Sequence, residues 1–331
     1  MSETKSILVE VDSRVSETKS ILAEVLQCLE NLALSNPKLH SRTGQPLPLC
    51  EAPPHRVKAI SRQTLCDSVL RYEEAIPQGD LGNIIRRGNQ LTLKEQDRIV
   101  YVIENQRLRD WLLNPRSSVL LIRGNSTNLD SGASAMSFVT AHIVQSTQQV
   151  QKSRIFCLFW FADQHRNTRH DADANVHGIM RSLIGQLLHV SNDFDLHFIK
   201  RRTALAVREK NDLQVLCNIF DELIYQLPAK TIAFCVVDSI ACMEYEHKED
   251  VQVLVQRLHN VARHASKKGS SFKLLFTHGG GAFRAAAEFG APREILDVPE
   301  DAGGNRMGFN KLMWDDKVGG KVDKMAIRPK R

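Results

Sequence analysis

The residues of this chain best suited to chemistry lie in a glycine-bounded turn and at the end of one apolar run. The turn reads Gly124-Asn-Ser-Thr-Asn-Leu-Asp-Ser131-Gly132-Ala133-Ser134, and the run closes on Asp238. A glycine-rich turn between a strand and a helix presents backbone N–H groups to an anion, and a hydroxyl at the helix start can hold Mg²⁺. An aspartate ending a second buried strand can reach the same ion through water. Triphosphate chemistry is what this context points to: Gly124, Ser131, Gly132 and Ser134 around the phosphates, Ser134 and Asp238 near the magnesium of ATP or GTP. The cation that makes such a loop work is missing. Ala133 stands at the lysine position, the glycines are further apart than the motif's four-residue spacing, and Asp130 adds negative charge. Two unit charges about 4 Å apart interact by about 4 kcal/mol at an effective dielectric of about 20. Exchanging attraction for repulsion therefore costs orders of magnitude in affinity unless another cation, such as Arg123, compensates. Ser239-Ile240 follow Asp238, so the acid that polarises an attacking water is absent there, and Glu244 is the next one. No catalytic residue is assigned, and the expectation is a chain with no cofactor, or with ATP or GTP and magnesium where the loop still binds.

Other constellations reduce to simpler explanations. His278-Gly-Gly-Gly281 matches an oxyanion loop, but no Gly-x-Ser-x-Gly elbow accompanies it. His165, His170, Asp171, Asp173 and His177 lack the spacing of metal ligands and read as a solvated loop. Lys200, Arg201, Arg202, Arg208 and Lys210 read as a charged helix face. Phe159-Trp160-Phe161 sits inside an apolar strand and reads as core rather than as a base-stacking platform.

The elements that must position the turn alternate along the chain. After a helical stretch at about 61–76, ending before Pro77, a Gly/Asn loop runs to Asn89. Thr92-Leu-Lys-Glu95 supplies a capping-box pattern opening a helix to about Leu113, which Asn114-Pro115 stops. Strands are expected at Val119–Ile122, Arg154–Phe161, Thr231–Val237, Phe272–Phe276 and Glu294–Val298, with helices near 133–149, 179–188, 194–207, 212–226, 249–266 and 282–289. Such alternation with continuous apolar strands is the pattern of a parallel sheet covered on both faces. The expected organisation is an amphipathic helix at 1–33, a linker at 34–60, a helical segment at 61–115, an α/β domain at 116–298, and a flexible basic tail at 299–331.

Composition sets the outer bounds. The chain has 331 residues, 44 Lys and Arg against 38 Asp and Glu, and an ordinary 42% hydrophobic content. A net charge of +6 is too small to imply nucleic-acid binding. Seven scattered cysteines without a CxxC pair suit a reducing compartment. No apolar run reaches the roughly 18 residues that span a bilayer, and no secretory leader is seen. An intracellular, cytoplasmic protein is expected, with the basic tail leaving the nucleus open. Ser2-Glu-Thr-Lys-Ser-Ile-Leu8 recurs as Ser16–Leu22, and Leu8, Val11, Val15, Leu22, Val25, Leu29 and Leu32 fall on a heptad stripe. Residues 2–33 are therefore expected to self-associate or bind a protein partner as a coiled coil, or to pack on the chain's own body.

The order Leu120-Leu-Ile-Arg-Gly124, Phe159-Trp-Phe161, Arg181-Ser-Leu-Ile-Gly-Gln-Leu-Leu188, Val236-Val-Asp238 and Lys273-Leu-Leu-Phe-Thr277 resembles NACHT-type NTPase domains of the STAND class. These are found in many filamentous-fungal proteins, and the likeness is to their degenerate members, over about residues 107–298. The resemblance implies a three-layer P-loop NTPase-like α/β fold with a parallel sheet, and the role of a signal-transducing switch. The chain departs from that pattern by lacking the loop lysine, the acid after Asp238, an arginine near Thr277 and C-terminal repeats. The function expected is thus a catalytically degenerate regulatory or protein-interaction module. The alternatives are an active ATP- or GTP-binding enzyme using a displaced basic residue, and a purely structural coiled-coil scaffold.

Overall fold

The computed structural model describes residues 60–125, 134–150, 154–265, 269–280, 283–303 and 308–322. The expected coiled coil at 2–33, most of the linker, and the loop residues Ser131 and Gly132 lie outside the described residues.

Five parallel strands form one sheet in the order β2-β3-β4-β1-β5. They are β1 (Ser118–Arg123), β2 (Ile155–Phe161), β3 (Ile232–Asp238), β4 (Ser271–His278) and the short β5 (Ile295–Asp297). The strands are apolar at both parities because both faces are covered. Along β3, Phe234 and Val236 enter one core, while Ala233, Cys235 and Val237 enter the other. The first core is closed by α1 (Ala75–Arg87), α2 (Leu93–Glu104), α3 (Gln106–Leu113) and α4 (Ala135–Gln149). The second is closed by α5 (Val176–Val190), α6 (Arg201–Lys210), α7 (Leu213–Tyr225) and α8 (Glu244–Ala265). This is the three-layer α/β fold of the P-loop NTPase type.

Several elements depart from the sequence reading. The stretch expected to be helical at about 61–76 is helical over Arg62–Leu70, with wider π geometry from Leu65; it breaks at Arg71 in the left-handed region (φ 55°), and the longer helix α1 starts at Ala75. Pro77 lies in its first turn, where no N–H has to be donated, so it does not end the helix. The helix expected to reach Leu113 divides at Asn105, whose extended backbone (ψ 134°) ends α2 while its side chain accepts from Arg107 N–H at 2.9 Å to start α3. Beyond Pro299 the chain is not a frayed tail throughout. In α9 (Lys311–Trp314) and the turn after it, Trp314, Val318 and Val322 are buried in the first core, and the Trp314 indole donates to Ser146 Oγ at 2.9 Å. These three apolar residues recur every fourth position, a helical stripe that the surrounding glycines mask.

Strand β2 is an edge strand, and the helix carrying Arg181–Leu188 protects it. Gln186 accepts from Phe159 N–H at 3.0 Å and donates to Phe159 O at 2.8 Å, so one side-chain amide replaces a neighbouring strand. Ser182 Oγ fixes that amide at 3.0 Å from its nitrogen. The arrangement satisfies buried backbone groups that β2 would otherwise leave open.

Candidate functional site at the carboxyl edge of the sheet

Because all strands run parallel, their carboxyl ends share one edge, where open α/β sheets bind ligands. Gly124 follows β1, Asp163 follows β2, Asp238 ends β3, and Thr277 lies near the end of β4. Gly124 N–H donates to His278 O at 2.8 Å. A side chain at Gly124 would meet Gly279 O at 2.7 Å and His278 O at 3.0 Å, so glycine is required there by close backbone approach.

Asp238 is fully buried among hydroxyls. Ser137 Oγ donates to Oδ2 at 2.6 Å and Ser239 Oγ to the same oxygen at 3.1 Å. Thr277 donates to Oδ1, and Thr140 lies 3.4 Å from it. Ser239 adopts a left-handed backbone (φ 56°), and its N–H donates to Thr277 Oγ1 at 3.1 Å. Burial raises the Asp238 pKa, while the hydroxyl hydrogen bonds pull against it. The carboxyl is thus held between the start of α4 and the end of β4.

The helix start differs from the sequence reading in register. Ser134 is the N-cap of α4: its side chain accepts from Met136 N–H at 3.2 Å, which is how a serine satisfies an orphan donor. The hydroxyl that meets Asp238 belongs to Ser137, and the residue before it is the buried Met136. With the register moved in this way, the position preceding the hydroxyl is again not a lysine.

A carboxylate already occupies the positive end of α4. Ala135 N–H donates to Glu95 Oε2 at 2.9 Å, and Arg98 Nη1 donates to Glu95 Oε1 at 2.9 Å. Arg98, only 2% exposed, also donates to the Gly124 carbonyl. Thr92 does cap α2, accepting from Glu95 N–H at 3.2 Å. The other half of the capping box is not made, because the Glu95 side chain turns to a helix 40 residues further on. Helix N-termini attract anions through free N–H groups and the helix dipole, and here the anion is the protein's own.

Arg123, the proposed substitute cation, is committed elsewhere. It forms a two-pronged pair with Asp297 of β5, at 2.6 Å and 2.7 Å. Hydrogen bonding to Asp297 raises the Arg123 pKa, and Arg123 lowers that of Asp297. Beside Ser134 and Ser137 there remains a cavity of about 10 Å³, also lined by Gly88, Phe138 and Asp163. That is room for about one water. The residue that caps the end of α1, Gly88, closes this side: a Cβ on it would lie 2.0 Å from the Phe138 ring.

The loop expected to be solvated contains a buried histidine. His165 is 7% exposed and stacks on Trp160 with ring centroids 4.0 Å apart. Its Nε2 meets Asp80 of α1 at 2.9 Å and its Nδ1 meets Asp171 at 2.5 Å. Burial lowers its pKa, but the hydrogen bonds and charges of the two aspartates outweigh this and raise it. The pair of aspartates ties α1 to the β2–α5 connection. Among the described residues no group of His, Cys, Asp and Glu is arranged to hold a metal ion. At the opposite edge, Lys273 is fully buried and donates to Trp111 O at 2.7 Å, Ser118 Oγ at 3.1 Å and Asn114 O; burial pushes its pKa down to about 7.

Residues 100–278 match the family model described as Nephrocystin 3, N-terminal. The chain belongs to that family. The match starts within α2 and ends with β4, so it contains Gly124, Ser137, Asp238 and Thr277 but neither Glu95 nor Arg98. No curated protein and no solved structure matches the chain. No helix among the described residues is long and apolar enough to cross a membrane.

Proposed function

We propose that this member of the family is a catalytically degenerate P-loop module of the NACHT type, in the STAND class, acting as a regulatory or protein-interaction unit rather than as a hydrolase. The observation that carries the reading is the Glu95 carboxylate on Ala135 N–H, at the helix start where a phosphate would sit. The absence of lysine at Ala133 and Met136, and the engagement of Arg123 with Asp297, support it. Isothermal titration of the full chain with Mg-ATP and Mg-GTP is the test. Little or no heat at millimolar nucleotide is expected; sub-micromolar binding with steady turnover would overturn the proposal.

One observation favours a second reading, in which nucleotide binds and a displaced cation serves. The Arg98 guanidinium lies against the Gly124 carbonyl and would be the nearest positive group if Glu95 withdrew. Phosphate release that is abolished by Asp238→Ala and by Arg98→Ala would establish it. A role for residues 2–33 in self-association rests on the heptad stripe, and deletion of that segment should lower the number of chains per particle, measured as mass in solution. An unchanged oligomeric state would remove it.

A further inference from the structure

A second candidate site lies at the amino edge of the sheet, away from Asp238. Strand β5 pairs only with Leu121, Ile122 and Arg123, so the half of β1 from Ser118 to Leu120 has no strand neighbour on that side among the described residues. The direction of its backbone groups follows from the ladder. Gly124 N–H points to β4, donating to His278 O, and Arg123 O points to β5, accepting from Val298 N–H at 2.8 Å. Alternation along the strand turns the N–H and C=O of Val119 to the same side as β5, where the Pro292–Glu294 turn packs on β1 but makes no backbone hydrogen bond to Val119 among the described residues. An open edge of this kind is a template for a further strand.

The space beside it is a groove of about 560 Å³ between the start of β1, α3 and α8. This lies within the range of evolved ligand sites. Its rim is cationic: Arg107, Arg116, Arg263 and Arg293 face two acids, Asp110 and Glu294. Arg107 is pinned to Ile295 O at 2.5 Å, whereas Arg116, Arg263 and Arg293 have no carboxylate partner among the described residues. Inside the groove His259 is 4% exposed, and its Nε2 has no hydrogen bond. Glu294 Oε2 is 3.6 Å away, beyond hydrogen-bond reach. A buried ring nitrogen whose near neighbour, the Glu294 carboxylate, stands at 3.6 Å without closing a hydrogen bond, in an arginine-rimmed space, is a polar group that a ligand could complete.

We propose that this groove takes an extended, acidic segment of a partner protein, whose backbone adds to β1 at Val119 and whose carboxylates meet Arg116, Arg263 and Arg293. Charge complementarity selects the acidic partner, and the open strand edge selects an extended peptide over a free anion. The inference goes beyond the reading of the phosphate loop and does not depend on it.

The test titrates the full chain with a blocked peptide alternating glutamate and valine, and with three controls: its lysine counterpart, the same sequence N-methylated along one backbone edge, and citrate. Micromolar binding of the acidic peptide is expected, with no heat from the lysine peptide. N-methylation should weaken binding by at least about tenfold, because it removes backbone donors without changing charge. Arg116→Glu with Arg263→Glu should weaken it by a similar factor; both side chains are exposed, and circular dichroism checks that the variant folds. Citrate binding as tightly as the peptide, equal affinity of the N-methylated form, or no binding of the acidic peptide at millimolar concentration would each overturn the proposal. The peptide controls need no protein variant, so misfolding of the arginine variant would leave the test intact.

Discussion

Replacing Glu95 tests the claim that the chain's own carboxylate fills the anion position at the start of α4. In Glu95→Ala the Ala135 N–H loses its acceptor and Arg98 loses its counter-charge. Arg98 is 2% exposed and its Nε already has no partner, so the guanidinium cannot recover hydration in place. Breaking one side of a buried ion pair costs about 3–5 kcal/mol. The Glu95 side chain keeps 17% exposure, which admits some water, so the lower end, about 3 kcal/mol, is expected. Glu95→Gln keeps an oxygen for Ala135 N–H but loses the charge, and a smaller loss, about 1.5–2 kcal/mol, is expected. In urea unfolding followed by circular dichroism the three midpoints should fall in the order wild type, Gln, Ala. The same variants report on the vacated site. An anion bound only by the folded state stabilises by about 2.7 kcal/mol at a hundredfold excess over its dissociation constant. Inorganic phosphate should therefore stabilise Glu95→Ala more than it stabilises the wild type, with chloride at matched ionic strength as the control. A Glu95→Ala protein as stable as wild type, or one with the wild-type response to phosphate, would refute the reasoning.

Two further perturbations follow. The raised pKa of His165 means that its contribution is fully present below the free-histidine value of about 6.5 and is lost as pH rises through the higher folded value. The stability gap between wild type and His165→Gln should thus narrow as pH increases through that window, and a gap that widens with pH in urea melts would exclude the aspartate-paired histidine. Gln186→Leu keeps the volume but strands the N–H and C=O of Phe159, at a cost of about 2–3 kcal/mol; an unchanged unfolding midpoint would show that the edge of β2 needs no such cover.

Elements whose information is local are legible along the chain. Continuous apolar runs such as Ile232–Val237, too short for a buried helix and rich in β-branched residues, read as strands buried on both faces, and their alternation with helices points to the parallel α/β class. Thr92 was legible as a cap because its acceptor serves an N–H three residues away. The missing lysine was legible as well, since no choice of register supplies one at the start of α4. The remaining features come from packing between partners distant in the chain. Ser137, not Ser134, meets Asp238 because the rotation of α4 on the sheet chooses the hydroxyl, and spacing from Gly124 cannot report that rotation. Glu95 reads as half of a capping box until α2 is laid across the start of α4, where the unpaired N–H of Ala135 and the dipole of a longer helix draw the carboxylate away. His165 reads as a loop residue until α1 brings Asp80 to it. In each case the side chain keeps its local alternatives in sequence, and packing alone removes them.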